Sequence, residues 1–283
     1  MSALEKPSLA ARRPALALAT TAACALGLAV IGVLALAVDA GHARDAAMLR
    51  GFTGLYGSTI DSEIRITARL VDPVPYAVMG MLCIAVALRR RRTSMAVAMA
   101  IVLIGTGVTA QILKHTLDQP RYADWILGDS MQNGWPSGHA TAAMTLALCA
   151  VMAAAPAWRA VTALLVCGGT VSVAYATLAL TWHYPSDVLA GFAVAGLWVS
   201  VALAVLVRRD ADPRAAPPPL LRFVVAVGGA GALVAAALVG VASERIGLDA
   251  VDGGTAIVGA LAVATLALTL LVVTAIAAPG ADE

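Results

Sequence analysis

The sequence predicts an all-α membrane protein, a polytopic helix bundle of about eight spans, and three observations carry that prediction. Across 283 residues, 60% of the side chains are hydrophobic and only 13% charged, with a mean hydropathy of +0.87. A soluble domain is about 45–50% apolar and about 25% charged. The apolar runs, rich in Ala, Val and Leu, continue for roughly 20 residues with hardly a charge, the length that crosses a hydrocarbon layer about 30 Å thick. Segments of about 10 residues with alternating polarity, as in a membrane barrel, are missing. Helices remain, because they satisfy their backbone polar groups internally.

The spans follow in order at residues 14–38, 73–88, 95–113, 140–155, 161–180, 188–207, 223–241 and 256–278. The first follows Lys6, Arg12 and Arg13 as a signal peptide would. Its apolar stretch outruns the roughly 7–15 residues of a signal core, and "VDAGHARD" is a poor cleavage context, so it is a retained span. Arg89, Arg90, Arg91 and Arg92 fill the short loop between the second and third spans and place that loop in the cytoplasm. If the helices alternate, Arg12, Arg13, Arg159, Arg208, Arg209 and Arg214 fall on the same side, an independent check on the span count. Both termini are then cytoplasmic in a multi-pass protein of the plasma (inner) membrane. Residues 1–208 form a six-helix core, 209–222 a stiff Pro-rich linker, and 223–283 a two-helix hairpin.

The opposite side receives residues 39–72, 114–138, 181–187 and 244–254, and every histidine lies there or at its boundary. Residues 39–72 are open to three readings: a plain loop, a short re-entrant, or an amphipathic surface segment with Ile60, Ile64 and Leu70 toward lipid and Asp61, Glu63, Arg65 and Arg69 toward water. Cys24, Cys83, Cys149 and Cys167 all fall inside apolar runs and read as small buried hydrophobes. A formal charge of +2 implies no nucleic-acid surface. Gly228, Gly229, Gly231, Gly259, Ala260 and Ala264 in the last two helices suit close packing, within the chain or in a homodimer.

Three segments carry polar chemistry that a helix bound for lipid would not keep without cause, and the topology gathers them at one membrane face. They are "LKHTLDQPRYADW", with Lys114 and Arg121, "PSGHATAA", from Pro136, and "HYPSDVLAG", with His183 and Asp187 four apart. Ser137 suits a helix cap, and Gly138 lets the backbone approach a ligand. Open N–H groups and the positive end of the helix dipole form an oxyanion site. Lys114 adds a point charge and Arg121 a two-pronged grip. His183 and Asp187 fit a nucleophile and the carboxylate that orients it, with His139 as acid to the leaving group. The chemical rival is a metal held by His183 and Asp187. Against it stand two cations that repel an ion and the lack of a cysteine ligand.

These residues resemble the type 2 phosphatidic acid phosphatase superfamily, membrane lipid phosphatases that share a helical core with vanadium haloperoxidases. The family's motifs are Lys, six residues, Arg-Pro; then Pro-Ser-Gly-His; then Ser-Arg, five residues, His, three residues, Asp. Lys114 and Arg121 match the first, Pro136 to His139 the second, and His183 with Asp187 the third, over roughly residues 95–207. The resemblance implies metal-independent, cofactor-free hydrolysis of a lipid phosphate at the extracytoplasmic face through a phosphohistidine. His183 is then the nucleophile, Asp187 its partner and His139 the acid, with Lys114, Arg121, Ser137 and Gly138 holding phosphate. A polyprenyl phosphate or diphosphate is the expected substrate and phosphatidic acid the second choice.

The chain departs from the motifs twice. Tyr122 follows Arg121 where the family has Pro, and the Ser-Arg pair falls on Ala176 and Thr177. Thr177 keeps a hydroxyl for the substrate but no charge. A lost charged hydrogen bond of about 1.5–3 kcal/mol would cost roughly ten- to a hundredfold. Arg65 and Arg69, in the long first loop, are the cations left to replace it. Besides the hydrolase, a lipid phosphotransferase using the same His183 and a non-catalytic phospholipid binder fit this pattern.

Overall fold

The computed structural model describes residues 9–52, 61–117 and 134–209. Arg121, the linker beyond residue 209 and the hairpin expected at 223–283 lie outside the described residues. The described residues form eight α-helices in order: α1 Leu9–Leu36, α2 Asp39–Arg50, α3 Asp61–Arg69, α4 Pro73–Arg89, α5 Thr93–Thr116, α6 Gly138–Ala153, α7 Arg159–Ala179 and α8 Pro185–Arg209. Every span expected in this stretch is a helix. The region 39–72, where a plain loop was one reading, contains two more.

Among the described residues, four segments are long and apolar enough to cross a membrane alone: Ala17–Leu36, Thr93–Thr116, Pro156–Ala179 and Pro185–Leu206. The pair α3 and α4, bent by 50°, would make a fifth. At 16 residues α6 is shorter than a span, about 24 Å by helix rise, and 12 of its residues are buried. An interior helix need not reach both lipid surfaces, because protein groups meet its ends. At its C-terminus Arg90 donates to the Ala153 carbonyl at 3.3 Å and Arg92 to the Met152 carbonyl at 3.1 Å. The arginine turn thus caps α6 and complements its negative dipole end.

Helix α8 runs through the middle of the bundle, packed on α1, α5 and α6. Phe192, Met144, Met152, Leu148 and Leu203 are fully buried around it. Gly105 leaves room for the Trp198 ring, which a Cβ there would meet at 2.6 Å, and the Trp198 indole donates to Thr109 Oγ1 at 3.0 Å. Lipid-facing positions fall mainly on α1, α4, α5 and α7, where Leu26, Met81, Ile104, Leu164 and Leu165 are exposed. Cys24 and Cys149 are buried in the packing, and Cys83 and Cys167 are half-buried.

The amphipathic reading of α3 needs one correction. Ile64 and Ala68 turn toward Ala176, Leu180 and Trp182, so this edge of the helix packs on α7. Leu70 is exposed, as expected. A helix of nine residues is marginal alone, and docking on a neighbour lets it persist.

Candidate functional site

The end of the bundle opposite the arginine turn collects the polar residues. Helix α6 starts there with Ser137 as its cap, the hydroxyl oxygen accepting from Ala140 N–H at 3.2 Å. The Ser137 carbonyl accepts from Thr141 N–H at 3.0 Å and from the Thr141 hydroxyl at 2.7 Å. Ser137 N–H donates across the bundle to the Asp187 carbonyl at 2.9 Å, which ties the start of α6 to the start of α8. That contact demands a close approach. A Cβ on Gly191 would lie 2.8 Å from the Ser137 carbonyl oxygen and 2.9 Å from Thr141 N, so only glycine fits there without a shift.

Lys114, half-buried in the last turn of α5, places its ammonium over the same first turn of α6, 3.5 Å from where a Cβ of Gly138 would stand. A point charge, a helix N-terminus and a side chain small enough to expose the backbone therefore meet in one place. That combination attracts an oxyanion.

His183 and Asp187 are both 1% exposed, and His183 Nδ1 lies 3.4 Å from Asp187 Oδ2. The same carboxylate oxygen accepts from Tyr184 N–H at 2.9 Å, so it also caps the turn that opens α8. With Nδ1 turned to the carboxylate, the buried Nε2 is the nitrogen left to carry a lone pair. The peptide that delivers His183 is strained. Helix α7 ends with Trp182 N–H on the Thr177 carbonyl at 3.0 Å and Thr181 N–H on Leu178 at 2.9 Å. That leaves Thr181 left-handed at φ 55°, a conformation costly for a β-branched residue.

His139 lies in the first turn of α6, its ring centroid 6.1 Å from that of His183 and 5.4 Å from that of Trp182. Its Nε2 lies 3.4 Å from Asp72 Oδ1. The structure thus brings together Lys114, Ser137, Gly138, His139, His183 and Asp187, six of the residues the motifs single out. Arg121 lies outside the described residues. Thr177 is fully buried, and its hydroxyl donates to the Ala174 carbonyl at 2.8 Å, within its own helix. Arg65 donates to Asp61 at 2.6 Å, while Arg69 is exposed at the end of α3.

Three contributors were not visible in the motifs. Asp72 and Gly191 are two. The third is Asp45 of α2, buried, which accepts from Ser186 N–H at 3.0 Å and from the Ser186 hydroxyl. Helix α2 also brings the His42 ring to 6.2 Å from that of Tyr184. An acidic residue in an early polar segment, where a cap at a distant helix start is needed, was the only trace of this role. Among the described residues no three carboxylate, imidazole or thiol side chains gather as a ligand set for a metal ion.

Residues 91–211 match the family model described as the PAP2 superfamily. No curated protein and no solved structure matches the chain. The matched stretch holds α5 to α8 and all six gathered residues, whereas Asp45 and Asp72 precede it.

Proposed function

From residues 91–211, whose match to the PAP2 superfamily suggests phosphatase activity on phosphate esters, we propose a membrane lipid phosphatase that works through a phosphohistidine on His183. The observation that carries this reading is the buried His183–Asp187 pair beside an oxyanion cradle made by Lys114 and the start of α6. Asp187 fixes the imidazole so that Nε2 attacks phosphorus. His139 protonates the leaving oxygen and then takes a proton from the water that releases phosphate. Lys114, Arg121 and the Gly138 backbone hold the phosphoryl oxygens as charge develops on them. Because the Thr177 hydroxyl is spent on Ala174, Lys114 and Arg121 carry the charge stabilisation between them.

A lipid substrate is favoured by an apolar crevice of about 370 Å³ lined by Val71, Leu82, Ala143, Ala147, Ala150 and Val173. Ala143 follows His139 by one turn of α6, and Val71 adjoins Asp72, so a hydrocarbon chain in the crevice leads to the cradle. We take the substrate to be a polyprenyl phosphate or diphosphate, with phosphatidic acid second. The arginine distribution supports an extracytoplasmic position for the cradle.

The test is phosphate release by the purified full-length protein from polyprenyl diphosphate, polyprenyl phosphate and phosphatidic acid, with EDTA present and His183→Ala as control. Expected is release that survives the chelator, vanishes in the variant, and is accompanied by alkali-stable labelling of the protein from a radiolabelled headgroup. Release by His183→Ala at the native rate would overturn the assignment.

A further inference from the structure

Asp72 stands at the residue before α4, where an aspartate ordinarily turns its carboxylate onto the helix's own open N–H groups. It makes no such bond. Its carboxylate reaches instead across to α6, where Oδ1 lies 3.4 Å from His139 Nε2. A capping bond stabilises a helix start, so a carboxylate that gives it up needs a competing partner, and an imidazolium is a stronger one than a neutral amide. Four groups face His139: the Asp72 carboxylate from the α3–α4 bend, His183 and the Trp182 ring from the turn before α8, and the Lys114 ammonium from α5. Of these only Asp72 favours a charged imidazole. Burial opposes it most, followed by the other titratable neighbours, His183 and Lys114, and together they outweigh the carboxylate.

We infer that Asp72 is a positioning residue that orients His139 as the leaving-group acid and supports its charged form. This rests on the lipid phosphatase reading. In the first step the His183 Nε2 lone pair forms the N–P bond while the bond from phosphorus to the leaving oxygen breaks. Its electron pair stays on that oxygen, which takes the proton from the His139 nitrogen facing away from Asp72. In the second step a water oxygen attacks phosphorus, the N–P electrons return to Nε2, the water proton passes to His139, and inorganic phosphate departs. Throughout, Asp72 exchanges no proton. It keeps the ring pointed at the leaving oxygen and offsets part of the burial and positive charge that disfavour the acid form.

The experiment compares native protein with Asp72→Asn in full-length, detergent-purified form, by three readouts. The asparagine variant should lose about tenfold in kcat on an alkyl phosphate, within the 10–100-fold typical of outer-shell partners. It should lose little on an aryl phosphate, whose leaving oxygen departs without a proton. The alkaline limb of the kcat profile should move to lower pH by about one unit, and Asp72→Asn in a His139→Gln background should add no further loss. Histidine 15N spectra, assigned for His139 by the His139→Gln variant, should show the same shift in its titration midpoint with no substrate present. Equal losses on both leaving groups with an unmoved His139 titration would overturn the inference and leave Asp72 a structural residue. If the native protein released no phosphate, the phosphatase reading would fail while the titration still decided the Asp72–His139 pair.

Discussion

Two histidines face each other in this protein, each with its own carboxylate, and the pairs are built on opposite plans. His183 and Asp187 belong to one helix start, four residues apart, sealed at 1% exposure each. His139 and Asp72 come from different helices, with side chains 22% and 41% exposed. Sealing a carboxylate against an imidazole fixes one tautomer and excludes water from the other nitrogen, which suits a nucleophile. An open pair lets its histidine trade protons with water and with a departing group, which suits an acid. In the proposed mechanism the same two side-chain types thus serve two steps because their solvent exposure differs.

The sharpest way to break the comparison is to spoil the sealed pair. Asp187→Asn leaves a hydrogen-bonding group of the same shape but no negative charge to hold the His183 tautomer and the charge that builds on its ring. We expect kcat to fall on the order of 10²–10⁴-fold, the range seen when an orienting carboxylate is neutralised. Steady-state kinetics on alkyl and aryl phosphates checks this, and the loss should be equal on both, in contrast to the Asp72 pair. A loss confined to alkyl phosphates would assign the two histidines the other way round.

The sealed pair was legible in the sequence and the open one was not, for a physical reason. His183 and Asp187 lie four apart at a helix start, so local geometry alone puts their side chains together. Likewise Ser137 caps α6 because any serine just before a helix is placed to do so. Asp72 meets His139, and Asp45 meets Ser186, only through the packing of helices far apart in the chain, which no spacing encodes. The six apolar helices were legible from hydropathy, yet that α6 falls short of a span was not, since its shortness depends on Arg90 and Arg92 arriving from another loop. Thr177 shows the reverse error: its hydroxyl looks available in the sequence, and the helix consumes it.

Lys114 touches both plans, since its ammonium lies over the α6 turn from which His139 projects. Lys114→Met keeps the stem and removes the charge. Losing one charge-assisted contact to phosphate, about 1.5–3 kcal/mol, should lower kcat/KM by roughly ten- to a hundredfold on either leaving group. Kinetics across a salt series checks the assignment, because the native enzyme should lose more activity with added salt than the variant. An unchanged kcat/KM would move the phosphate grip to Arg121.

Gly191→Ala sharpens the comparison by loosening only the joint between the two helix starts. The added methyl meets a carbonyl oxygen at 2.8 Å and a backbone nitrogen at 2.9 Å, which cannot rotate away as a side chain would. Helix α8 must shift, at a cost of about 1–3 kcal/mol. Thermal unfolding in detergent should report a lowered midpoint, and kcat should fall with it as the His183 turn leaves its register with Ser137. A variant as stable as the native protein would show that α6 and α8 are less firmly joined than the Ser137–Asp187 bond implies.

The smallest effect is expected at Asp45, which acts on the sealed pair from behind. Its carboxylate accepts from both the backbone N–H and the hydroxyl of Ser186, one residue before Asp187, and it brings a negative charge to the positive end of α8. Asp45→Asn keeps an acceptor for the N–H and can turn its amide toward the hydroxyl oxygen, so geometry survives while the charge goes. The dipole contribution lost is about 0.3–1 kcal/mol. Unfolding should therefore shift slightly and kcat fall only a few-fold, with KM unchanged because Asp45 lies behind the cradle. Asp45→Ala removes both acceptors and leaves the Ser186 N–H short of a partner, which costs about 1–3 kcal/mol and a correspondingly larger fall in kcat. If the two variants behaved alike, the charge of Asp45 would matter more than its hydrogen bonds. The sealed pair would then depend on the field at the start of α8 rather than on the position of its backbone.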